Sequence, residues 1–115
     1  MTDFSLRIAT LILPLRDNAG NKVTDAHAHL RASILDDFGG YTQTLVTGCW
    51  EDEAGIVHQD DSLKYEIAMD TGPGHGQKLV RIAAVACGQA RQKCVMIVLA
   101  SGVVHFVNEC GDLVT

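Results

Sequence analysis

The chain has 115 residues, 47% of them hydrophobic, and 14 Asp and Glu outnumber 9 Lys and Arg for a formal net charge of -5. That length suits one domain over residues 1–115 with one core of its own, and so apolar a composition excludes a disordered chain. The acidic balance argues against a nucleic-acid binder, whose phosphate contacts come from Lys and Arg, and no stretch approaches the ~20 apolar residues of a membrane span.

Ser5–Leu15 reads as a first strand, apolar on both faces and therefore central in its sheet. Its segment Ile8–Leu15 contains Pro14, follows Asp3 and Arg7, and lacks the basic start and cleavage site of a secretory leader, so a cytoplasmic location is expected. Asp17–Asn21 is turn chemistry. Thr24 is the expected N-cap of a helix, with Asp25 at the positive end of its dipole. Ala26, Leu30, Ile34 and Phe38 recur every four residues, and Gly39-Gly40 ends the helix.

Tyr41–Trp50 is rich in β-formers, Glu51–Gly55 is a turn, and Ile56–Met69 returns. Leu63, Tyr65, Ile67 and Met69 alternate with Lys64, Glu66 and Ala68, the period of a strand with one buried face. The two runs predict a long hairpin with a bulge near Gln59–Ser62. After a glycine-rich loop over Asp70–Gly76, Gln77–Ala90 predicts a second helix, with a stripe of Leu79, Ile82, Ala83, Ala86 and Ala90. Cys94–Ala100 is a strand covered on both faces. Ser101-Gly102 is a hairpin signal. Val103–Asn108 is a last, short edge strand, and Glu109–Thr115 is a loose tail.

The order is βαββαβ plus one C-terminal edge strand. The simplest packing is an α+β ferredoxin-like antiparallel sheet with both helices on one face. The other face then carries apolar side chains that nothing in the chain covers, which predicts a homodimer through the open sheet face.

The hairpin region carries Phe38-Gly39-Gly40-Tyr41-Thr42, then Gly48, Trp50, Gly55, Ser62 and Tyr65-Glu66, with Leu13-Pro14-Leu15 before it and Gln92 and Val95 after it. This resembles a family of small bacterial and phage-borne proteins with an F-G-G-x-T…G-x-W…G…S-x-x-Y-E hairpin. The resemblance supports the fold. Its glycines and aromatics are landmarks of structure and carry no catalytic signature.

Few residues invite chemistry. Gly74, Gly76 and Lys78 lie between a strand and a helix, a setting for binding a small anion. Gln77 and Leu79 break the P-loop pattern there, and a plain strand-to-helix connection is the competing reading. Trp50 and Tyr41 are candidates for a ligand wall or an interface anchor, against simple packing under the hairpin. His58 near Asp60 suggests a general base or a polar arm in water. His105 alternates with Val104 and Phe106 and suits the open face. His27 and His29, two apart on a helix, point roughly 200° apart and cannot chelate one ion. The cysteines Cys49, Cys87, Cys94 and Cys110 form no C-x-x-C pair and read as buried free thiols. No catalytic triad or zinc motif is present, so no catalytic residue, metal or cofactor is assigned.

The leading expectation is a non-enzymatic, dimeric binding module for a protein partner or small ligand, one version of it a phage accessory or counter-defence protein. One alternative is a small enzyme using His58, Asp60, His105 and Glu66 in a cleft between the sheet and its dimer mate. The other is a protein that sequesters a nucleotide or phosphate on the Gly72–Lys78 loop.

Overall fold

The computed structural model describes residues 6–72 and 74–114. Ser5, Pro73 and Thr115, assigned above to the first strand, the loop and the tail, lie outside the described residues.

The elements run β1 (Leu6–Pro14), α1 (Thr24–Phe38), β2 (Thr42–Glu51), β3 (Val57–Asp70), α2 (His75–Gln89), β4 (Val95–Val98), β5 (Val104–Val107) and β6 (Leu113–Val114). They form one six-stranded sheet in the order β2-β3-β1-β4-β5-β6, antiparallel throughout. The first four strands hold the ferredoxin-like arrangement, and β5 and β6 extend it beyond β4.

Successive strand residues face opposite sides, so parity decides what is buried. On β1 the odd positions Ala9, Leu11 and Leu13 are buried, and on β3 so are Tyr65, Ile67 and Met69. On β4 the same side carries Val95 and Ile97. Against them lie Ala26, Leu30 and Ile34 of α1, and Leu79, Ile82, Ala83, Ala86 and Cys87 of α2. Two amphipathic helices thus cover one face of the sheet, and each fully buried leucine or isoleucine contributes roughly 1.5–3 kcal/mol by leaving water.

The opposite face is open. Ile8, Val104 and Phe106 are 52%, 51% and 39% exposed there, with Ile12, Met96 and Val98 half-buried beside them. The sequence anticipates this apolar surface, although it belongs to Ile and Met as much as to Leu and Val.

Four local expectations are corrected. The N-cap of α1 is Val23, one residue before Thr24, and no side chain bonds the first turn. The β2–β3 register runs one-to-one from Thr42↔Glu66 to Glu51↔Val57, so the hairpin has no bulge. Residues 109–114 are not loose: the Asn108 side chain accepts from the Cys110 and Asp112 amides at 3.0 and 2.9 Å and turns the chain back as β6. The edge strand is therefore β6, and β5 is internal.

β1 leaves the sheet at Pro14, opposite Ser62. Beyond that point β2 and β3 pair only with each other, from Thr47↔Asp61 to Glu51↔Val57. This two-stranded arm draws the long dimension of the molecule out to 55 Å against 27 and 26 Å for the others.

Candidate functional site

The α1–β2 connection borders a cleft whose floor is formed by open-face residues of β1 and β3. Gly39 ends α1 in a left-handed conformation, φ 86°, and its N–H donates to Leu35 O; a side chain there would be strained. Gly40 follows with no such constraint, and a Cβ built on it meets nothing within 4 Å. The space it leaves is part of a cleft of about 430 Å³. Phe38, Gly39, Gly40, Tyr41 and Thr42 form one wall, and Ile8, Glu66 and Ala68 form the floor. The Phe-Gly-Gly-Tyr-Thr landmark is thus one wall of this cleft as well as a helix stop.

Tyr65 and Glu66 are split by strand parity. Tyr65 is fully buried on the helix side, edge-on to Tyr41 at 5.7 Å. Glu66 faces the cleft, with Thr10 and Thr42 opposite it on the two neighbouring strands. It is the one charged residue of the lining, and it has no ion-pair partner among the described residues. An unpaired carboxylate in an otherwise neutral recess gives the cleft a negative potential, which favours a cationic ligand.

Beneath the wall, Tyr65 meets His27. The Nε2–H of His27 donates to Pro14 O at 2.8 Å, so Nδ1 accepts from the Tyr65 hydroxyl, 2.6 Å away. Burial holds His27 below its ordinary range, the Pro14 bond opposes this, and nearby Arg31 lowers it further. Burial likewise pushes the Tyr65 hydroxyl up. Both groups are neutral and structural. His29 is exposed on the other side of the helix.

The other candidates separate. Trp50 stands nine residues along β2 from Tyr41, roughly 30 Å at strand rise, so the two share no wall. On the open face of the arm, Trp50 stacks on His58 at 4.4 Å and donates its indole N–H to Asp60 at 3.1 Å. His58 Nε2 lies 2.9 Å from Asp52, and that bond, with the Ile56 and Ala54 amides, holds the Asp52 carboxyl low. His105 sits opposite Ile97, on the helix side, where it lines a groove with Gly76 and Leu99. His58, Asp60 and Glu66 lie on the open side, so those four residues do not converge, and His105 is corrected from the open face.

The loop before α2 is tied inward. Asp70 accepts the Gly72 N–H at 2.8 Å, and a Cβ on Gly72 would come within 2.8 Å of that carboxylate. His75 Nδ1 approaches the same carboxylate at 2.9 Å, and its ring meets Phe38 edge-on at 5.9 Å. Asp70 therefore ties the start of this loop to the first turn of α2. Gly74 adopts φ 95° ahead of α2, and neither Gly74 nor Lys78 lines the Glu66 cleft. Of the cysteines only Cys87 is buried, its thiol pushed up to about 11 by burial, while Cys49 and Cys110 are exposed, which corrects the expectation of buried thiols throughout.

Among the described residues, no helix is long and apolar enough to cross a membrane. No curated protein matches the sequence. Two solved structures share the fold. A phage SAM lyase in complex with S-methyl-5′-thioadenosine superposes with a TM-score of 0.69 at 12% identity, over 94% of this chain and 95% of that one. A phage SAM lyase in the apo state gives 0.63 at 14% identity, over 99% and 92%. A family model described as the S-adenosylmethionine lyase family matches residues 15–114. That match overturns the expectations of a non-enzymatic interaction module and of a sequestering protein, because a lyase is an enzyme. The resemblance to small phage-borne proteins accords with the two phage proteins that share the fold. Matched over nearly its whole length, the chain belongs to the S-adenosylmethionine lyase family.

Proposed function

We propose that this protein cleaves S-adenosylmethionine at the bond between its sulfonium sulfur and the amino-acid side chain, releasing S-methyl-5′-thioadenosine. The bonding electron pair passes to sulfur and neutralises it, while the substrate's own carboxylate oxygen bonds to the γ-carbon, so the amino-acid side chain leaves as homoserine lactone. The observation that carries this reading is the Glu66 cleft: one unpaired carboxylate in a neutral recess with Phe38 and Tyr41 on its wall. S-adenosylmethionine bears a net positive charge and a flat purine, and it matches both features. The recess volume lies within the range of small-molecule sites.

The chemistry limits what Glu66 can do. Sulfur loses its positive charge as the bond breaks, so a carboxylate against sulfur would favour the substrate over the transition state and slow the reaction. Glu66 is better placed on the substrate ammonium or the ribose hydroxyls, where it fixes the reacting chain in a productive geometry. Phe38 and Tyr41 supply apolar area for the purine. The homodimer expected from the sequence stands with this reading: a second copy covers the apolar open face and borders the cleft, which opens on the same side.

Incubation of the purified protein with S-adenosylmethionine, followed by chromatography, tests the proposal. Time-dependent S-methyl-5′-thioadenosine at a rate above the spontaneous background is expected. No product above background from a folded protein would overturn it.

A further inference from the structure

A second recess differs from the Glu66 cleft in sign. It lies on the helix side at the base of the arm, encloses about 280 Å³, and is lined by Arg16, Lys22, Thr24, Arg31 and Leu63 among others. Three of the chain's 9 basic residues converge there although the chain carries 14 acids. Arg16 and Lys22 face each other across an isolated antiparallel bridge, and Arg31 comes from α1.

None of the three has a carboxylate partner among the described residues. Arg16 donates to Gly20 O at 2.9 Å, Arg31 reaches the Tyr65 hydroxyl at 3.4 Å, and Lys22 has no side-chain partner among the described residues. The acid in the intervening turn, Asp17, is already engaged: Arg91 Nε lies 2.7 Å from it, and the Ala19 and Asn21 amides donate to it at 3.0 and 2.8 Å. That engagement holds the Asp17 carboxyl low and fixes the turn that carries Arg16 and Lys22. Thr24 opens α1, so the positive end of the helix adds to the same field. Like charges held together without counter-charge repel, and a concave site lined by one sign concentrates ions of the other.

We propose that this recess binds a small polyphosphate anion. Charge selects the class. A single phosphate group carries about -1.5 to -2 near neutral pH, which falls short of three cations, whereas linked phosphates match them. Guanidinium forks suit phosphate oxygens, and an ammonium suits them as a point charge. S-adenosylmethionine, net positive, is repelled from this site, so the inference stands apart from the lyase reading.

Calorimetric titration of the full chain in low-salt buffer tests it with inorganic phosphate, pyrophosphate, tripolyphosphate and ATP as probes. Saturable binding is expected, with pyrophosphate tighter than phosphate. Lys22→Gln and Arg31→Gln should each weaken pyrophosphate about tenfold, the loss of a charge-assisted hydrogen bond. Glu66→Gln and Lys93→Gln should bind as the unaltered chain does. ATP tighter than tripolyphosphate would identify a nucleotide as the source, and equal affinity would identify free polyphosphate. No saturable binding of any probe overturns the proposal, as does binding unchanged by Lys22→Gln and Arg31→Gln in proteins with native circular dichroism.

Discussion

The Tyr65 hydroxyl lies 2.6 Å from Nδ1 of His27, a buried hydrogen bond that joins α1 to β3 across 38 residues of sequence. With Pro14 O holding the other ring nitrogen, the imidazole has no remaining hydrogen-bonding capacity. Removing the hydroxyl strands Nδ1 in the interior. Tyr65→Phe should therefore cost about 1–3 kcal/mol, read as a lowered urea midpoint with unchanged slope. In a double-mutant cycle with His27→Phe the coupling between the two sites should be about the size of that loss, while the Pro14 carbonyl left without its donor keeps the double variant below the unaltered chain.

The same histidine predicts a pH dependence. Its folded-state value lies below the ordinary 6.5 of the unfolded chain, so the unfolded state binds more protons in the window beneath 6.5. Stability is complete above that value and falls as pH drops from it toward the folded-state value. Asp17 and Asp52 are also lowered, from 3.8, and their loss begins only in more acid solution. Urea midpoints at pH 8 and pH 5 should differ, and His27→Gln should shrink that difference. An unchanged difference in the variant would remove His27 as its source.

In the cleft, Glu66→Gln keeps size and hydrogen bonding and removes the charge. Cleavage of S-adenosylmethionine should fall by one to two orders of magnitude in kcat/KM, about 1.4–2.8 kcal/mol, while thermal stability is unchanged. Gly40→Val tests the space instead of the charge. Its backbone conformation is not left-handed and no atom lies within 4 Å of a new Cβ, so the protein should fold normally with a raised KM. Product chromatography beside a melting curve separates the two outcomes from misfolding.

If a second copy covers the open face, a charge placed there should expel it. Phe106, 39% exposed, is opposite Met96 and Val114 on that side. Phe106→Asp should lower the sedimenting mass and leave the helix content intact. A monomeric native protein would defeat the expectation at the outset.

Much of the fold is legible in sequence because it is periodic. The alternation from Leu63 to Met69 specifies β3, and the four-residue recurrence from Ala26 to Phe38 specifies α1. What stays hidden is set by tertiary context. Asn108 looks like the end of the last strand, with only a tail beyond it, until its side chain is seen to close a turn. Thr24 has the right chemistry for a cap but sits one residue inside the helix. The cleft is the larger omission, since its wall is one continuous segment, Phe38 to Thr42, while its floor comes from β1 and β3, far from that segment in sequence. Tyr41 and Glu66 each draw notice singly, for an aromatic surface and for a carboxylate. Only the register, which sets Thr42 opposite Glu66, brings that carboxylate to the wall that Tyr41 belongs to. In the proposed cleavage the substrate supplies its own nucleophile, and such a reaction calls for no motif of the usual kind.

Apart from the Leu15 N–H bond to Asp61 O at its base, the paired ribbon from Thr47 to Asp61 has no third strand beside it. Two strands alone are marginal in water, so this part of the molecule draws little on the central apolar packing and can open without disturbing it. Amide exchange should therefore divide the chain into two tiers, rapid in the ribbon and slow from Leu63 to Met69 along the very same strand.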